Sequence, residues 1–333
     1  MPSFLIKSVC ALLAVVSALS AGAWWYAHQP LPMQSQVIEF TVVRGAGMRQ
    51  AAEAVAAAGV GVPPAALYWI ARFAGKADRI VAGSYEVAKG ISALELIEKI
   101  HRGELARATL MIPEGWTFRQ MRAAIEAHPY LVQDTRSLAD DELLTAIGAR
   151  ERHPEGLFYP DTYVFDRHSS ALELFRQAYL AMQSQLERVW EERAADLPLS
   201  SPYDALILAS IVEKETGRVE ERGLVASVFA NRLRIGMRLQ TDPTVIYGFG
   251  DGFEGRLRRH HLQTDHDYNT YLREGLPPTP IALPGRAALQ AAVRPDESEY
   301  LYFVARGDGT SEFSRNLRDH NRAVNRYQRG RGS

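Results

Sequence analysis

The sequence has a single cysteine, Cys10, among its 333 residues, so it can form neither an intramolecular disulfide nor a cysteine-ligated metal cluster. It also lacks an excess of either charge, because 38 lysine and arginine residues stand against 39 aspartate and glutamate residues. General nucleic-acid binding usually needs a clear basic excess, so we expect no nucleic-acid partner. The 47% of hydrophobic residues excludes wholesale disorder. The length suggests about two domains.

One long stretch of the N-terminal region has no charge at all. Ser8 to Ala27 is apolar or small throughout, Lys7 precedes it, and Trp24 to Tyr26 lie at its far end. Twenty helical residues rise about 30 Å, the thickness of a hydrocarbon core. We therefore predict a transmembrane helix at 8–27, with residues 1–7 in the cytoplasm and the rest of the chain on the other side of the membrane. The alternative is a signal peptide cleaved near Ala21-Gly22-Ala23.

The next segment, 28–37, contains two prolines and predicts a juxtamembrane linker. Residues 38–104 then form a small unit with a strand, two helices, a second strand and a last helix. Ser92 and Glu95 have the spacing of a capping box and predict where that last helix begins. The unit contains no cluster of catalytic side chains. We interpret it as a separate binding module.

A larger region covers residues 105–330, in which helices and strands are mixed without a regular repeat. That pattern predicts an α+β fold rather than a doubly wound sheet. It ends in a basic helix at 316–328, within a tail of six arginines that extends to Arg331. We interpret its arginines as a solvated helix face, with contact to an anionic polymer or lipid headgroups as the alternative.

Two glutamates, Glu213 and Glu215, end a helix that begins near Pro202 and is apolar almost all round. Residues two apart point about 200° away from each other on a helix, so these acids cannot act as a pair on one face. Glu215 continues the apolar line of Leu208 and Ile211, so we expect burial to raise its pKa, as a general acid needs. The alternative is that both are surface glutamates at a helix end.

Two more clusters are polar. The segment after Gly236 is predicted to be extended and to form a loop and a short strand, and it offers possible ligands for a sugar or a peptide: Gln240, Thr241, Asp242 and Tyr247. The other cluster contains His260, His261 and His266. Its spacing matches no strong metal motif, so we interpret these as solvated loop histidines and expect no metal.

Several motifs carry a family resemblance. Ser-Ile-Val-Glu-Lys-Glu-Thr at 210–216 is followed by the long run at 225–248 that ends Leu-Gln-Thr-Asp-Pro-Thr-Val-Ile-Tyr-Gly. Tyr-Asn-Thr-Tyr at 268–271 and Gly-Leu-Pro-Pro at 275–278 come next. Pro-Glu-Gly at 113–115, Tyr-Pro-Asp-Thr-Tyr at 159–163 and Pro-Gly at 284–285 add to the match. Together they resemble the membrane-bound endolytic murein transglycosylases, the YceG-like family.

The resemblance implies a substrate and a reaction. The second carboxylate of Glu-Lys-Glu, Glu215, would be the catalytic residue, and 38–104 would be a LysM-like peptidoglycan-binding module. The enzyme would be a lyase that cuts nascent glycan strands between N-acetylmuramic acid and N-acetylglucosamine and leaves 1,6-anhydro ends. No cofactor is expected, and glycan synthases and transpeptidases are possible partners. Candidate substrate-binding residues are Glu213, Asn231, Gln240, Thr241, Asp242, Tyr247, Asn269 and Tyr271.

Two places depart from the family pattern: the charged Asp265-His266-Asp267 before Tyr268, and Thr279 where glycine is frequent. They put the shape of a cleft wall in question, not the chemistry. Two other functions stay open at this stage. One is a non-catalytic peptidoglycan-binding scaffold, and the other is a muramidase that uses water.

Overall fold

A computed structural model of the chain describes residues 2–253 and 255–329, so Met1 of the predicted cytoplasmic segment, residue 330 and Arg331 lie outside the described residues. The helices are α1 (Pro2–His28), α2 (Met48–Ala57), α3 (Pro64–Phe73), α4 (Ala93–Arg102), α5 (Phe118–Glu126), α6 (Asp140–Ile147), α7 (Ala171–Glu191), α8 (Pro202–Glu215), α9 (Val219–Arg234), α10 (Asp242–Phe249), α11 (Arg259–Gln263), α12 (Arg286–Val293) and α13 (Leu317–Val324). The strands are β1 (Val37–Val42), β2 (Gly83–Ala88), β3 (Arg107–Met111), β4 (Leu131–Val132), β5 (Thr162–Asp166), β6 (Ser169–Ser170), β7 (Tyr302–Ala305) and β8 (Ser311–Ser314).

The strands pair in twos, as β1 with β2, β3 with β5, β4 with β6, and β7 with β8. Helices and strands are thus mixed without a repeated β–α order, which confirms the predicted α+β class. The chain divides into two compact units. The first contains Met1–Thr109 and Val164–Ser169, and the second contains Leu110–Tyr163 and Ser170–Ser333.

The N-terminal helix α1 is apolar and unburied. Its stretch from Lys7 to His28 has the length and composition to cross a membrane. Trp24 and Trp25 near its end are exposed, as is Cys10 further back. An apolar helix that is exposed along most of its length is consistent with a single-pass membrane anchor.

The predicted linker at 28–37 is packed into the first unit. Leu31 and Met33 are buried in the core of this unit. Pro30 forms an isolated β-bridge with Ser92, and the Gly61 amide donates a hydrogen bond of 2.7 Å to the Pro32 carbonyl. Apolar side chains and paired backbone groups therefore fix this segment against the unit.

The rest of the first unit follows the predicted order of elements. β1 and β2 pair antiparallel, from Val37 opposite Ala88 to Val42 opposite Gly83, and alternate residues of β1 are buried. α2 and α3 connect the two strands. The predicted capping box is present, since the Ser92 amide donates to Glu95 Oε2 at 2.8 Å and the Glu95 amide donates to Ser92 Oγ at 3.3 Å.

The second unit is built around α8. Ser201 caps the start of this helix, Pro202 occupies its first turn, and all residues from Ala205 to Val212 are buried. Helices α7, α9, α10 and α12 contact it. A helix that is apolar all round is expected to be enclosed in this way, so the predicted burial is confirmed. The helix ends at Glu215.

One predicted element in the second unit is wrong. The segment expected to be extended after Gly236 forms helix α10 from Asp242. Thr241 has an extended backbone at the N-cap, and Pro243 lies in the first turn, where its fixed φ and missing amide hydrogen favour a helix start. These helix-starting residues outweigh the strand propensity of Val245 and Ile246. At the C-terminus, the predicted basic helix is α13 followed by a π turn at 325–329.

Candidate active site

Glu215 lies on a cleft of about 580 Å³ in the second unit. It is the last residue of α8, and α9 contributes Phe229 and Arg232 to the same cleft. Gln240 and Asp242 come from the start of α10, and Tyr271 from the loop before α12. The β7–β8 hairpin and α13 complete the lining with Tyr302, Phe303, Val304, Ala305, Ser311, Leu317, His320, Asn321 and Val324.

Thr241 holds the carboxylate of Glu215. Its hydroxyl donates a hydrogen bond to Glu215 Oε1, and its own backbone amide donates to Thr270 Oγ1 at 3.1 Å. Thr241 is 2% exposed. The preceding residue, Gln240, has a left-handed backbone with φ of 47°, and its amide donates to the Thr270 carbonyl at 3.0 Å. This uncommon conformation at the cleft turns the chain into α10 directly beside Glu215.

The carboxyl group of Glu215 has an altered acidity. Its pKa is raised to about 7, chiefly by burial, and the nearby charge of Asp242 contributes to this rise. The Thr241 hydrogen bond and the Arg232 charge act in the opposite direction. We predicted a raised pKa because Glu215 continues the apolar line of Leu208 and Ile211, and this prediction is confirmed. A carboxyl group with such a pKa is still protonated in a large fraction of molecules near neutral pH and can donate its proton.

Asp242 and Tyr271 form a pair beside this acid. The Tyr271 hydroxyl donates a hydrogen bond of 2.5 Å to Asp242 Oδ1. Burial raises the pKa of Tyr271, so its hydroxyl stays protonated and can keep donating. Both residues line the cleft, as does Gln240, so three of the predicted substrate-binding residues share the cleft with Glu215.

Glu213 has a different environment, and it is not the surface glutamate of the alternative interpretation. Its side chain is 6% exposed and pairs with Arg222, which is 8% exposed, at 3.1 Å. The Gly285 amide donates to Glu213 Oε2 at 3.0 Å. Burial raises the pKa of Glu213. Its carboxylate connects α8 to α9 and to the start of α12, so it supports the fold and does not line the cleft.

Three further predicted substrate-binding residues also have their polar groups occupied by the protein. Asn269 is fully buried, and its side-chain amide donates to the Thr264 carbonyl at 2.7 Å. The side chain of Asn231 donates to the Ser298 and Tyr300 carbonyls at 2.8 and 3.0 Å. The Tyr247 hydroxyl donates to Glu155 at 3.1 Å. None of the three lines the Glu215 cleft.

Sequence reasoning missed Glu155. It is 3% exposed and accepts a hydrogen bond of 2.8 Å from the Phe118 amide, at the start of α5. Burial raises its pKa to about 7. Pro154-Glu155-Gly156 is typical of an ordinary turn, and only the tertiary structure brings Tyr247 and Phe118 to this carboxyl group.

Three further residues of the cleft were not predicted from the sequence: Arg232, Tyr302 and His320. Arg232 is 6% exposed and donates from Nε to the Leu301 carbonyl at 2.7 Å, and burial lowers its pKa. Its guanidinium lies 5.3 Å from the centre of the Tyr302 ring. These three residues are far apart in the sequence, and no motif joins them.

The histidine cluster is partly enclosed. His261 is 7% exposed and lies in α11 with its ring 4.9 Å from that of Phe249, so its interpretation as a solvated loop residue is wrong. Within residues 2–253 and 255–329, no group of three or more histidines, cysteines and acids is arranged to hold a metal ion.

The two departures from the family pattern lie outside the lining of the cleft. Asp265 and Asp267 both pair with Arg273, at 2.9 and 2.8 Å. Thr279 shares a hydrogen bond of 2.8 Å with the Tyr268 hydroxyl. They therefore do not change the wall of the Glu215 cleft.

The fold and this site define a mixed α+β protein that carries a buried, proton-holding acid on a cleft. Residues 40–326 match the YceG-like family, and the chain belongs to that family. This confirms the resemblance that the motifs around Glu215 predicted.

Similar proteins agree with this membership. The chain is 32% identical over 263 residues to an endolytic murein transglycosylase of Bacillus subtilis, covering 74% of this chain and 72% of that protein. A protein of the same name from Streptococcus pneumoniae is 26% identical, and the match covers 95% of this chain but 64% of that longer protein. The crystal structure of a yceG-like protein from Listeria monocytogenes superimposes with a TM-score of 0.54 at 29% identity, covering 86% of this chain and 98% of that one. The predicted activity matches the name of these curated relatives.

Proposed function

We propose that the protein is an endolytic murein transglycosylase that cuts peptidoglycan glycan strands with Glu215 as its acid and base. The observation that carries this proposal is a single carboxyl group on a cleft, held by Thr241 and with a pKa raised to about 7. The activity named for its relatives is a cut within a murein strand. A protonated carboxyl group is what cleavage of a glycosidic bond first requires.

The reaction needs one carboxyl group if the substrate supplies the nucleophile. Glu215 donates its proton to the glycosidic oxygen as the bond from C1 of N-acetylmuramic acid breaks and N-acetylglucosamine leaves. The 6-hydroxyl of the same muramic acid then attacks C1 and gives its proton to the Glu215 carboxylate. The product is a 1,6-anhydro end, no water is consumed, and Glu215 is protonated again.

Gln240, Asp242 and Tyr271 are the proposed substrate contacts, since they line the cleft with Glu215. Asp242 has a second effect because its negative charge raises the pKa of Glu215. The charge favours the protonated acid before the bond breaks. Thr241 acts through Glu215 and is a positioning residue.

A hydrolytic muramidase is the second candidate, because Asp242 gives the cleft a second carboxylate. Glycosidases that use water pair an acid with a carboxylate that activates the water. The two reactions differ in their products. Hydrolysis leaves a reducing end that is heavier by one water than the anhydro end. A non-catalytic scaffold would yield neither product.

The test is to digest purified sacculi with the wild-type chain and to identify the new ends by mass spectrometry. We expect anhydro ends from the wild type and none from Glu215→Gln, which keeps the shape of the side chain but has no proton to transfer. Glu220→Gln is the matched control, because that glutamate is exposed and near in sequence. Reducing ends would favour the muramidase. The absence of any product from the folded wild type would reject both enzymes.

The first unit would bring this activity to the wall at the membrane. α1 would anchor the chain in the inner membrane with its N-terminus in the cytoplasm, as Lys7 indicates, and the enzyme in the periplasm. Residues 38–104 would be a LysM-like module that binds peptidoglycan, and 105–330 the catalytic domain. Trp69 and Phe73 on α3 are exposed, 53% and 85%, and aromatic faces suit the apolar faces of sugar rings.

The module can be tested in the full chain. Trp69→Ala combined with Phe73→Ala, in the inactive Glu215→Gln background, is expected to weaken co-sedimentation with sacculi. Unchanged co-sedimentation would contradict binding by this surface.

Cutting of new strands at the membrane would limit strand length. It would also bring the enzyme near glycan synthases and transpeptidases as partners.

A further inference from the structure

One wall of the cleft is formed by the β7–β8 hairpin and α13. A stack of three side chains joins this wall to Arg232 of α9. The guanidinium of Arg232 lies 5.3 Å from the centre of the Tyr302 ring. The ring of His320 stacks on Tyr302 at 5.1 Å with an interplanar angle of 24°. All three side chains line the cleft with Glu215.

The face that α13 turns to the cleft is neutral. It contributes His320 and Asn321 with the apolar Leu317 and Val324. The arginines Arg322 and Arg326 line a different cavity, on another side of the helix. Neutral hydrogen-bonding groups among apolar ones suit the hydroxyl and N-acetyl groups of an amino sugar. An anionic ligand would be bound by the positively charged arginines instead. The basic helix thus meets the cleft with its uncharged face.

The surroundings of His320 determine where its ring carries a proton. Burial and the nearby charge of Arg232 lower its pKa, so the imidazole is neutral near pH 7. Its Nδ1 atom is buried without a hydrogen-bond partner among the residues that the structure describes. A buried N–H donor without an acceptor is costly, so the proton belongs on Nε2. The ring therefore has one donor to offer, at Nε2.

We propose that His320 is a substrate-contacting residue of this cleft, whose Nε2–H donates a hydrogen bond to an oxygen of an N-acetylated amino sugar bound against the Arg232–Tyr302–His320 stack. The stack fixes the plane of the imidazole, because the ring packs on Tyr302, which also contacts the guanidinium of Arg232. The contact acts in binding and takes no part in the proton transfers of Glu215. It rests on the proposed function, since it takes the ligand of the cleft to be a glycan strand.

The test compares three substitutions of His320 in the full chain. His320→Phe keeps a ring that can stack on Tyr302 but has no donor, His320→Gln restores an N–H near the place of Nε2, and His320→Ala removes both. For His320→Phe we expect KM for glycan strands to rise about three- to tenfold, with a smaller change in kcat. His320→Gln is expected to recover most of the loss. A wild-type KM for His320→Phe, or a loss confined to kcat, would overturn the proposal.

A binding measurement separates this proposal from the proposed reaction. In the inactive Glu215→Gln background, an oligomer of the peptidoglycan disaccharide is titrated while the nitrogen resonances of the His320 ring are followed by NMR. We expect the tautomer protonated at Nε2, and a shift of that resonance on binding. A ring protonated at Nδ1, or oligomer binding without a shift, would reject the contact. If the oligomer binds with the expected shift but the wild type releases no new glycan ends, the proposed reaction is rejected and the His320 contact is supported.

Discussion

The hydroxyl of Thr241 donates a hydrogen bond to the Oε1 atom of Glu215, and so joins the residue that precedes α10 to the last residue of α8. Thr241 is itself held by Thr270 through its backbone amide. The acid is thus oriented by a side chain that belongs to another element and is fixed in turn. The arrangement predicts how the cleft responds when single groups are removed.

The first prediction concerns the hydroxyl of Thr241. Thr241→Val keeps the shape of the side chain but removes the hydrogen bond, which both orients Glu215 and lowers its pKa. We expect kcat to fall about tenfold, the effect of about 1.4 kcal/mol. The pH at which activity declines on the alkaline side is expected to rise. Kinetics across pH 5 to 9 provide the measurement. Thr241→Ser is the control and should stay close to wild type. Equal activity of the two variants would argue against the positioning role.

The second prediction concerns the charge of Asp242. The acid must be protonated to act, so activity is present at low pH and declines as pH rises through the pKa of Glu215, about 7. Asp242 raises that pKa, so Asp242→Asn is expected to lower it and to move the alkaline limb of the pH profile to lower pH. Asp196→Asn is the control, because Asp196 is 81% exposed and lies outside the cleft lining. If the alkaline limb of the Asp242→Asn profile stays in place or moves to higher pH, this electrostatic effect is contradicted.

The third prediction concerns stability rather than chemistry. Glu213→Gln removes the buried carboxylate that pairs with the guanidinium of Arg222 at 3.1 Å, and leaves only the half-exposed Glu114 at 3.8 Å. We expect the free energy of unfolding to fall by about 3 kcal/mol, as happens when one member of a buried ion pair is removed. Denaturant unfolding is the measurement. The double variant with Arg222→Met should recover part of the loss. If Glu213→Gln unfolds like the exposed control Glu220→Gln, the buried pair does not support the fold.

The fourth prediction tests how the segment 28–37 is held in the core of the first unit. Leu31 is 5% exposed in the core of that unit. Leu31→Ala is expected to cost about 2–5 kcal/mol and to speed hydrogen exchange at the amides of β1. The neighbouring Gln34 is exposed, so Gln34→Ala should leave exchange unchanged. A free linker would give the same exchange rates in both variants.

How far the sequence predicted the fold depended on how local each signal was. The capping box of Ser92 and Glu95 and the apolar run of α8 lie within single elements, and both predictions were confirmed. Helix α10 differs from the prediction because Thr241 and Pro243 form a helix start, whereas Val245 and Ile246 taken alone favour a strand.

The site was predictable only where a residue's own helix determines its surroundings. The position of Glu215 at the end of a buried helix was enough to predict a raised pKa. The burial of Glu213 was not predictable, because Arg222 and Gly285 reach it from other elements. The same is true of Asn269, whose polar groups are all occupied by nearby backbone. His320 and Tyr302 are about a hundred residues from Glu215, and no spacing rule joins them.

The most direct test of the central claim is the identity of the new glycan ends that the chain produces from sacculi, measured by mass spectrometry for the wild type and for Glu215→Gln. The account predicts 1,6-anhydro muramic acid ends from the wild type and none from the variant, with both proteins equally folded. Anhydro ends released by Glu215→Gln at the wild-type rate would contradict it.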